Sequence, residues 1–255
     1  MSSNKIVQSV DRAMRILKCF SEETPELKLS EISDHLDLNK STVHGIVSTL
    51  KAHGLLEQNE ENQKYKLGLK LMELGDVVAH SIDILKIAPP LLTELGKILN
   101  ETIHIGILDG MEVSYIYKQE SSQSMRIHTT IGARNPAHCT GLGKVLLAYV
   151  DPEVLDSTMP EILEQRTPNT IVDREKLYVE LDTIRKKGYA IDHEEIAEGL
   201  TCVATPLFDQ NGAVKYAMST SGPTFRMTEE KIDETIQNMK EVAKTLSLKL
   251  GYKGL

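Results

Sequence analysis

Two stretches of this 255-residue chain carry residue types at spacings suited to binding. In the first, Ser41, Thr42, His44, Gly45, Ser48, Thr49 and Lys51 fall on one side of a helical period whose other side is Val43, Ile46, Val47 and Leu50. Small hydroxyl side chains on an exposed helix face reach phosphate oxygens or base edges, and the free amides at a helix start favour a phosphate. In the second, Thr140-Gly141-Leu142-Gly143-Lys144 opens a loop into an apolar helix, where glycines let backbone amides approach a bound anion. This is not an ATP-binding phosphate loop, because His138 stands where the first glycine belongs and Val145 where Ser or Thr is required.

A third group, Asp192-His193-Glu194-Glu195 with His128, His138, Cys139 and Cys202, has the residue types of a metal or acid–base site. No pair in it shows HxxxH or CxxC spacing, so neither a metal, a cofactor nor a catalytic residue is expected. Glu194 and Glu195 are read instead as part of a satisfied carboxylate network under a pocket. The alternation Met218-Ser219-Thr220-Ser221 puts both serines on one strand face.

These residues need elements to hold them. Val10, Ala13, Met14, Leu17 and Phe20 predict a first helix capped by Ser9 and buried along that stripe; Ser30 is expected to cap a short second helix, Glu31 to Asp37. A tight connection, Leu38 to Lys40, leads to the third helix, ended by Gly54. Two short runs, Leu55 to Gln58 and Lys64 to Leu67, read as a hairpin with a flexible tip. Three helices and a hairpin in this order make a winged helix-turn-helix, whose third helix enters a major groove. Lys5, Arg12, Arg15, Lys40, Lys51, Lys64 and Lys66 are the candidate phosphate contacts.

Beyond the hairpin, Leu69 to Val78 and Leu85 to Leu95 predict a bent linker helix, and Pro89-Pro90 should start or kink a helix. Strands are expected at Thr102 to Leu108, Glu112 to Lys118, Met125 to Thr130, Tyr189 to Asp192, Thr201 to Asp209 and Val214 to Ser221. Helices are expected at Gly141 to Val150, Arg174 to Lys187 and, capped by Thr228, on to Leu250. The class is therefore α+β, divided as a DNA-binding domain 1–68, a linker helix 69–83 and a second domain 84–255.

Composition narrows the function. Hydrophobic residues at 40% and charged residues at 26% exclude disordered and fibrous chains, and aromatics at 4% make base-stacking surfaces improbable. A net charge of −8 argues against a protein that coats nucleic acid, and residues 1–80 hold 10 basic against 12 acidic side chains, so DNA binding would need local clustering and dimerisation. Leu38 to Leu56 supplies such a cluster, with two lysines, two histidines and no acid. Unpaired, widely spaced Cys19, Cys139 and Cys202, with no apolar run of membrane-spanning length and no leader pattern, predict reduced thiols, no membrane association and a cytoplasmic location.

Along nearly the whole chain the sequence resembles the IclR family of bacterial transcriptional regulators. The resemblance rests on SVDRAMRIL (9–17), LSEISDHLDLNKSTVHGIVSTLKAHGLL (29–56), YKLG (65–68), ETIHIGILDG (101–110), CTGLGKVLLA (139–148), GYAIDHEEIAEGLTCVATPLFD (188–209) and STSGP (219–223). It implies a winged helix, a linker helix and a GAF-like effector-binding domain with an antiparallel sheet, assembled as homodimers that often pair into homotetramers. It implies a double-stranded operator as partner and a small carboxylate metabolite as effector, with repression the expected direction. Gly141 and Leu142 then hold the effector's carboxylate; Asp192, Cys202, Ser219 and Ser221 form the polar pocket wall, and Ile127 and Leu200 the apolar one. Gly45 departs from the family, which usually has Arg there. A metabolite-processing enzyme with an accessory helical domain, and a ligand sensor controlling a protein partner, are the competing readings.

Overall fold

The computed structural model describes residues 6–81, 83–125, 127 and 129–254. Lys5 and His128 lie outside them. The chain divides into two units, Met1–Ile82 and Asp83–Leu255.

The first unit holds α1 (Gln8–Leu17), α2 (Leu29–Leu36), α3 (Lys40–Ala52), a hairpin of β1 (Leu56–Gln58) and β2 (Tyr65–Leu67), and α4 (Lys70–Ser81). Its core is small: Ile16, Phe20, Leu27, Ile32, Val43, Val47, Leu50, Leu56 and Tyr65. Leu27 adds a bridge to Tyr65, so the loop before α2 extends the hairpin. Two expected caps are corrected. Val7, not Ser9, precedes α1, and Lys28, not Ser30, precedes α2, where the Glu31 carboxylate accepts the Lys28 amide at 2.6 Å. The reach of Glu31 back to its own helix start sets that boundary two residues early. The buried stripe of α1 also differs. Ile16 is buried, whereas Val10 and Met14 are exposed, because only the C-terminal half of α1 lies over the small core.

In the second unit, α5 (Asp83–Leu99) is followed by β3 (Thr102–Asp109), β4 (Glu112–Gln119) and β5 (Arg134–Pro136). A short 3-10 turn leads to α6 (Gly141–Ala148), α7 (Pro152–Thr158) and α8 (Arg174–Lys187), then to β6 (Ala190–His193), β7 (Leu200–Phe208), β8 (Val214–Pro223) and α9 (Glu229–Lys249). The strands form one antiparallel sheet in the order β5-β4-β3-β8-β7-β6. Helices α6 and α8 pack together on it, as do α5 and α9. Pro89 and Pro90 lie within α5 and do not start it. The described residues of Met125 to Thr130 are not in a strand; β5, further on, takes the edge beside β4 instead. Neither α7 nor β5 shows a long apolar period, which is why the sequence pattern passes over both.

Two glycines of the first unit make opposite demands. A Cβ on Gly45 would meet nothing within 4 Å, so its only effect is the flexibility it gives α3. A Cβ on Gly68 would lie 2.1 Å from the Gly54 carbonyl oxygen. Gly45→Ala should therefore stabilise the unit by about 1 kcal/mol, while Gly68→Ala should destabilise it by roughly 2 kcal/mol or more, as read by urea denaturation. Equal, small effects at both positions would contradict the packing described.

Candidate functional site

On the first unit, α3 presents the expected polar face. Lys40, Ser41, His44, Gly45, Ser48, Thr49 and Lys51 are exposed, and Thr42 is half-buried; on the other side Val43, Val47 and Leu50 anchor the helix in the core. The hydroxyls are not equivalent. Thr49 donates back to the Gly45 carbonyl at 3.0 Å, so its oxygen is left to accept rather than to donate to a phosphate. Lys51 donates to Gln58 at 3.1 Å, which ties the end of α3 to β1. Arg12 and Lys64 are half-buried. The hairpin tip is tightly bonded: Glu26 accepts from Asn62 at 2.9 Å and Asn59 at 3.4 Å, and these bonds hold its carboxyl below the usual range. Lys66 is paired with Glu57 at 3.3 Å. Lys40 and His44 at the start of α3 are thus exposed within a stretch, Leu38 to Leu56, that has no acid.

On the second unit, the sheet, the start of α6 and the loop after β6 enclose a cavity of about 440 Å³. Ile127, Gly141, Leu142, Asp192, Leu200, Cys202, Ser219 and Ser221 all line it. Strand register brings them together: Asp192 opposes Cys202, Cys202 opposes Ser221, and Ser219 opposes both Ala204 and His104. Thr140 caps α6 by accepting the Gly143 amide at 3.1 Å, and among the described residues no acceptor takes the Gly141 or Leu142 amide. Two glycines permit this approach. A Cβ on Gly141 would stand 3.3 Å from Ala204 Cβ, and one on Gly143 only 2.2 Å from the Ala137 carbonyl oxygen.

Beneath the cavity lies a buried cation. Lys144, fully buried, pairs with Glu195, reaches Glu180 at 3.2 Å and donates to the Ile191 carbonyl at 2.8 Å. Asp192, also fully buried, accepts the Glu195 amide through Oδ1 at 2.7 Å, while its Oδ2 has no partner among the described residues. Burial pushes the Asp192 carboxyl up to about 7; the Glu195 amide and Lys144 pull it down, and the Glu195 carboxylate adds to the rise. Burial raises Glu195 as well. Cys139 is pushed up to about 12 and Cys202 well above its ordinary value, so both remain thiols at neutral pH. The satisfied network expected of Glu194 and Glu195 is only partly met: Glu195 holds Lys144 but its Oε2 is buried with no partner among the described residues, and Glu194 instead accepts the Gly199 amide at 2.8 Å, closing the loop over the cavity. Among the described residues, no three His, Cys, Asp or Glu side chains converge as metal ligands, and no Lys or Arg lines the cavity.

Comparison with known proteins decides the family. The family described as "Bacterial transcriptional regulator IclR C-terminal" matches residues 77–248, and the "IclR helix-turn-helix domain" matches residues 9–60. The chain belongs to the IclR family. Among curated relatives of this IclR-family chain, the HTH-type transcriptional regulator XynR of Escherichia coli K12 is 40% identical over 248 residues, covering 97% of this chain and 98% of that one. The regulator KdgR of Dickeya chrysanthemi is 38% identical, covering 96% and 81%. Among solved structures, the IclR of Thermotoga maritima superposes with a TM-score of 0.82 at 34% identity, covering 96% of this chain and 99% of that one. These relatives are named as transcriptional regulators, not enzymes, so DNA-binding regulation is the activity of this IclR-family chain. No described helix is long and apolar enough to cross a membrane.

The cavity of this IclR-family member has lining that sequence reasoning missed, above all His104, Tyr115, Thr129 and Asn135. Burial and nearby Lys118 depress His104 to about 4, its Nε2 meets Thr129 at 2.6 Å, and its ring packs edge-on against Tyr115. Tyr115 accepts from Asn135 at 3.1 Å and is raised to about 12 by burial. The one signal for His104 is its place directly across the β3–β8 ladder from Ser219, which requires the strand register. A pH test follows from Asp192. Its folded value lies above the unfolded value near 4, so it costs nothing below pH 4 and progressively more as pH rises through 7. Asp192→Asn should therefore gain stability over the native chain at pH 8 relative to pH 5, by roughly 1–3 kcal/mol in denaturant unfolding. A difference that is the same at both pH values would contradict the assignment.

Proposed function

We propose that this chain is a cytoplasmic repressor whose operator affinity is set by a small carboxylate in the cavity of its second unit. The observation that carries the reading is the start of α6. Gly141 and Leu142 present unclaimed amides to an enclosed space that holds no described cation, so an anion there would be held by oriented backbone dipoles. Ser219, Ser221 and Thr129 would bond its other oxygens, and Ile127 and Leu200 would cover its carbon skeleton. Asp192, about half protonated at pH 7, would donate its O–H to a carboxylate and repel it once ionised.

On the first unit, Lys40 and Ser41 would take a phosphate at the start of α3, with His44, Gly45, Ser48 and Thr49 over base edges and Arg12, Thr42, Lys51 and Lys64 at the margins. The sharing of the task by two copies is supported by apolar side chains that a single chain leaves exposed in this unit: Ile6, Val7, Val10 and Met14 at α1, with Leu69, Met72, Leu74, Val77 and Val78 at α4. A homodimer covering them would present paired recognition helices to a partial palindrome, and further pairing would give a tetramer. The domain division that serves this reading is 1–68, 69–83 and 84–255, with the linker coupling cavity occupancy to the spacing of the recognition helices.

Selection of fragments from sheared genomic DNA, followed by fluorescence anisotropy on the recovered site, tests the reading. A partially palindromic site should emerge, Lys40→Ala should weaken binding to all sequences and reduce the salt slope by about 1, and His44→Ala should relax sequence preference. Carboxylates should weaken operator binding in the native chain, and a Ser219→Ala/Ser221→Ala variant should need roughly tenfold more for the same effect. Carboxylates that bind without changing operator affinity would sink the regulatory coupling. In sedimentation, Met72→Glu/Val77→Glu should shift the protein toward monomer and abolish tight operator binding; an unchanged dimer would place the interface elsewhere.

A further inference from the structure

A second concave site sits at the other end of α6 and shares no lining residue with the cavity. Strand β6 pairs with β7 only as far as the Ala190–Ala204 partnership, so Thr205 to Phe208 runs on along the open edge of the sheet. There the end of α8, the later turns of α9 and Tyr252 bound a cleft of about 480 Å³. Its charge is opposite to that of the chain. Arg185, Lys186, Lys187, Lys240 and Lys244 line it with no acidic residue among them, in a protein of net charge −8. Only Lys186 has a carboxylate partner among the described residues, Asp182 at 2.5 Å.

Two of the cations are anchored. Lys240 donates to the Lys187 carbonyl at 2.9 Å, covering the negative end of α8, and lies 4.8 Å from the centre of the Tyr189 ring; Lys187 lies 5.9 Å from the same ring. An aromatic wall stands beside them, with Phe208 stacked on Tyr252 at 5.0 Å and met edge-on by Tyr149 at 5.5 Å. At the cleft floor the Thr205 hydroxyl is buried, 1% exposed for the residue, and has no partner among the described residues. Lys187, Lys240 and Lys244, with no carboxylate partner among the described residues, repel one another until an anion joins them.

We propose that this cleft is a second ligand site, for a small metabolite that combines several phosphate charges with a planar ring, the chemistry of a nucleoside polyphosphate. Lys187, Lys244 and Arg185 meet the phosphates, and the Tyr149–Phe208–Tyr252 wall meets the ring. The concavity of the cleft and its aromatic wall favour a small molecule over a nucleic acid backbone, which needs an extended surface.

The test is titration calorimetry of the full chain at physiological salt with ATP, inorganic triphosphate and a duplex lacking the operator. ATP should bind at a single site more tightly than triphosphate. Lys187→Ala/Lys244→Ala should weaken both by about tenfold or more, because it removes two charge-assisted contacts. Tyr252→Ala should weaken ATP alone, and Asp192→Asn should leave both unchanged. Unchanged thermal unfolding of the lysine variant, whose substituted residues are exposed, would show that it remains folded. Absence of ATP binding, equal binding by the lysine variant, equal affinity for ATP and triphosphate, or competition by the duplex at the same residues would each overturn the proposal.

Discussion

The second unit is organised around one buried charge. Lys144 is fully enclosed, and its ammonium is neutralised by Glu195 and Glu180 and bonded to the Ile191 carbonyl. Such a cation is tolerated in a protein interior only with partners in good geometry; loss of one partner leaves an uncompensated charge that costs several kcal/mol. Because those partners come from α8, β6 and the loop after it, the requirement fixes three segments against α6. Everything at the cavity depends on that fixing: the first-turn amides of Gly141 and Leu142, the elevated Asp192 beside them, and the loop that Glu194 closes through the Gly199 amide.

The first unit works with a different constraint. Its core is one layer of residues from α1, α2, α3 and the hairpin, and it leaves both ends of its own sequence, around Val10 and around Met72, with apolar side chains exposed. Glu57 of the hairpin is paired with Lys66, and Glu26 bonds to the Asn59 and Asn62 side chains at the tip. The stretch from Leu38 to Leu56, which contains α3, has no acid in an otherwise slightly acidic unit.

How far these features were legible in the sequence depends on the range of the interaction that makes them. The third helix, α8 and α9 are readable because their apolar periods, the Gly188 stop of α8 and the Thr228 start of α9 are local. The start of α2 was misplaced by one side chain, since nothing in the pattern says that Glu31 will reach back to Lys28. The exposure of Val10 and Met14 was hidden because periodicity reports a stripe without saying what covers it. At the cavity, the glycine turn and the serine alternation pointed to the right elements, whereas His104, Tyr115 and Asn135 enter only through the register of β3, β4 and β5, a pairing over distance. The basic cleft was invisible for the same reason: its cations come from two helices far apart in sequence.

The most direct test of the central claim is amide hydrogen exchange on the full chain, with and without a carboxylate that releases the operator, read at the first turn of α6. The account predicts strong slowing at Gly141 and Leu142, whose amides have no acceptor among the described residues, and little change at Gly143, already bonded to Thr140. Release of the operator with exchange at Gly141 and Leu142 unaltered would contradict it.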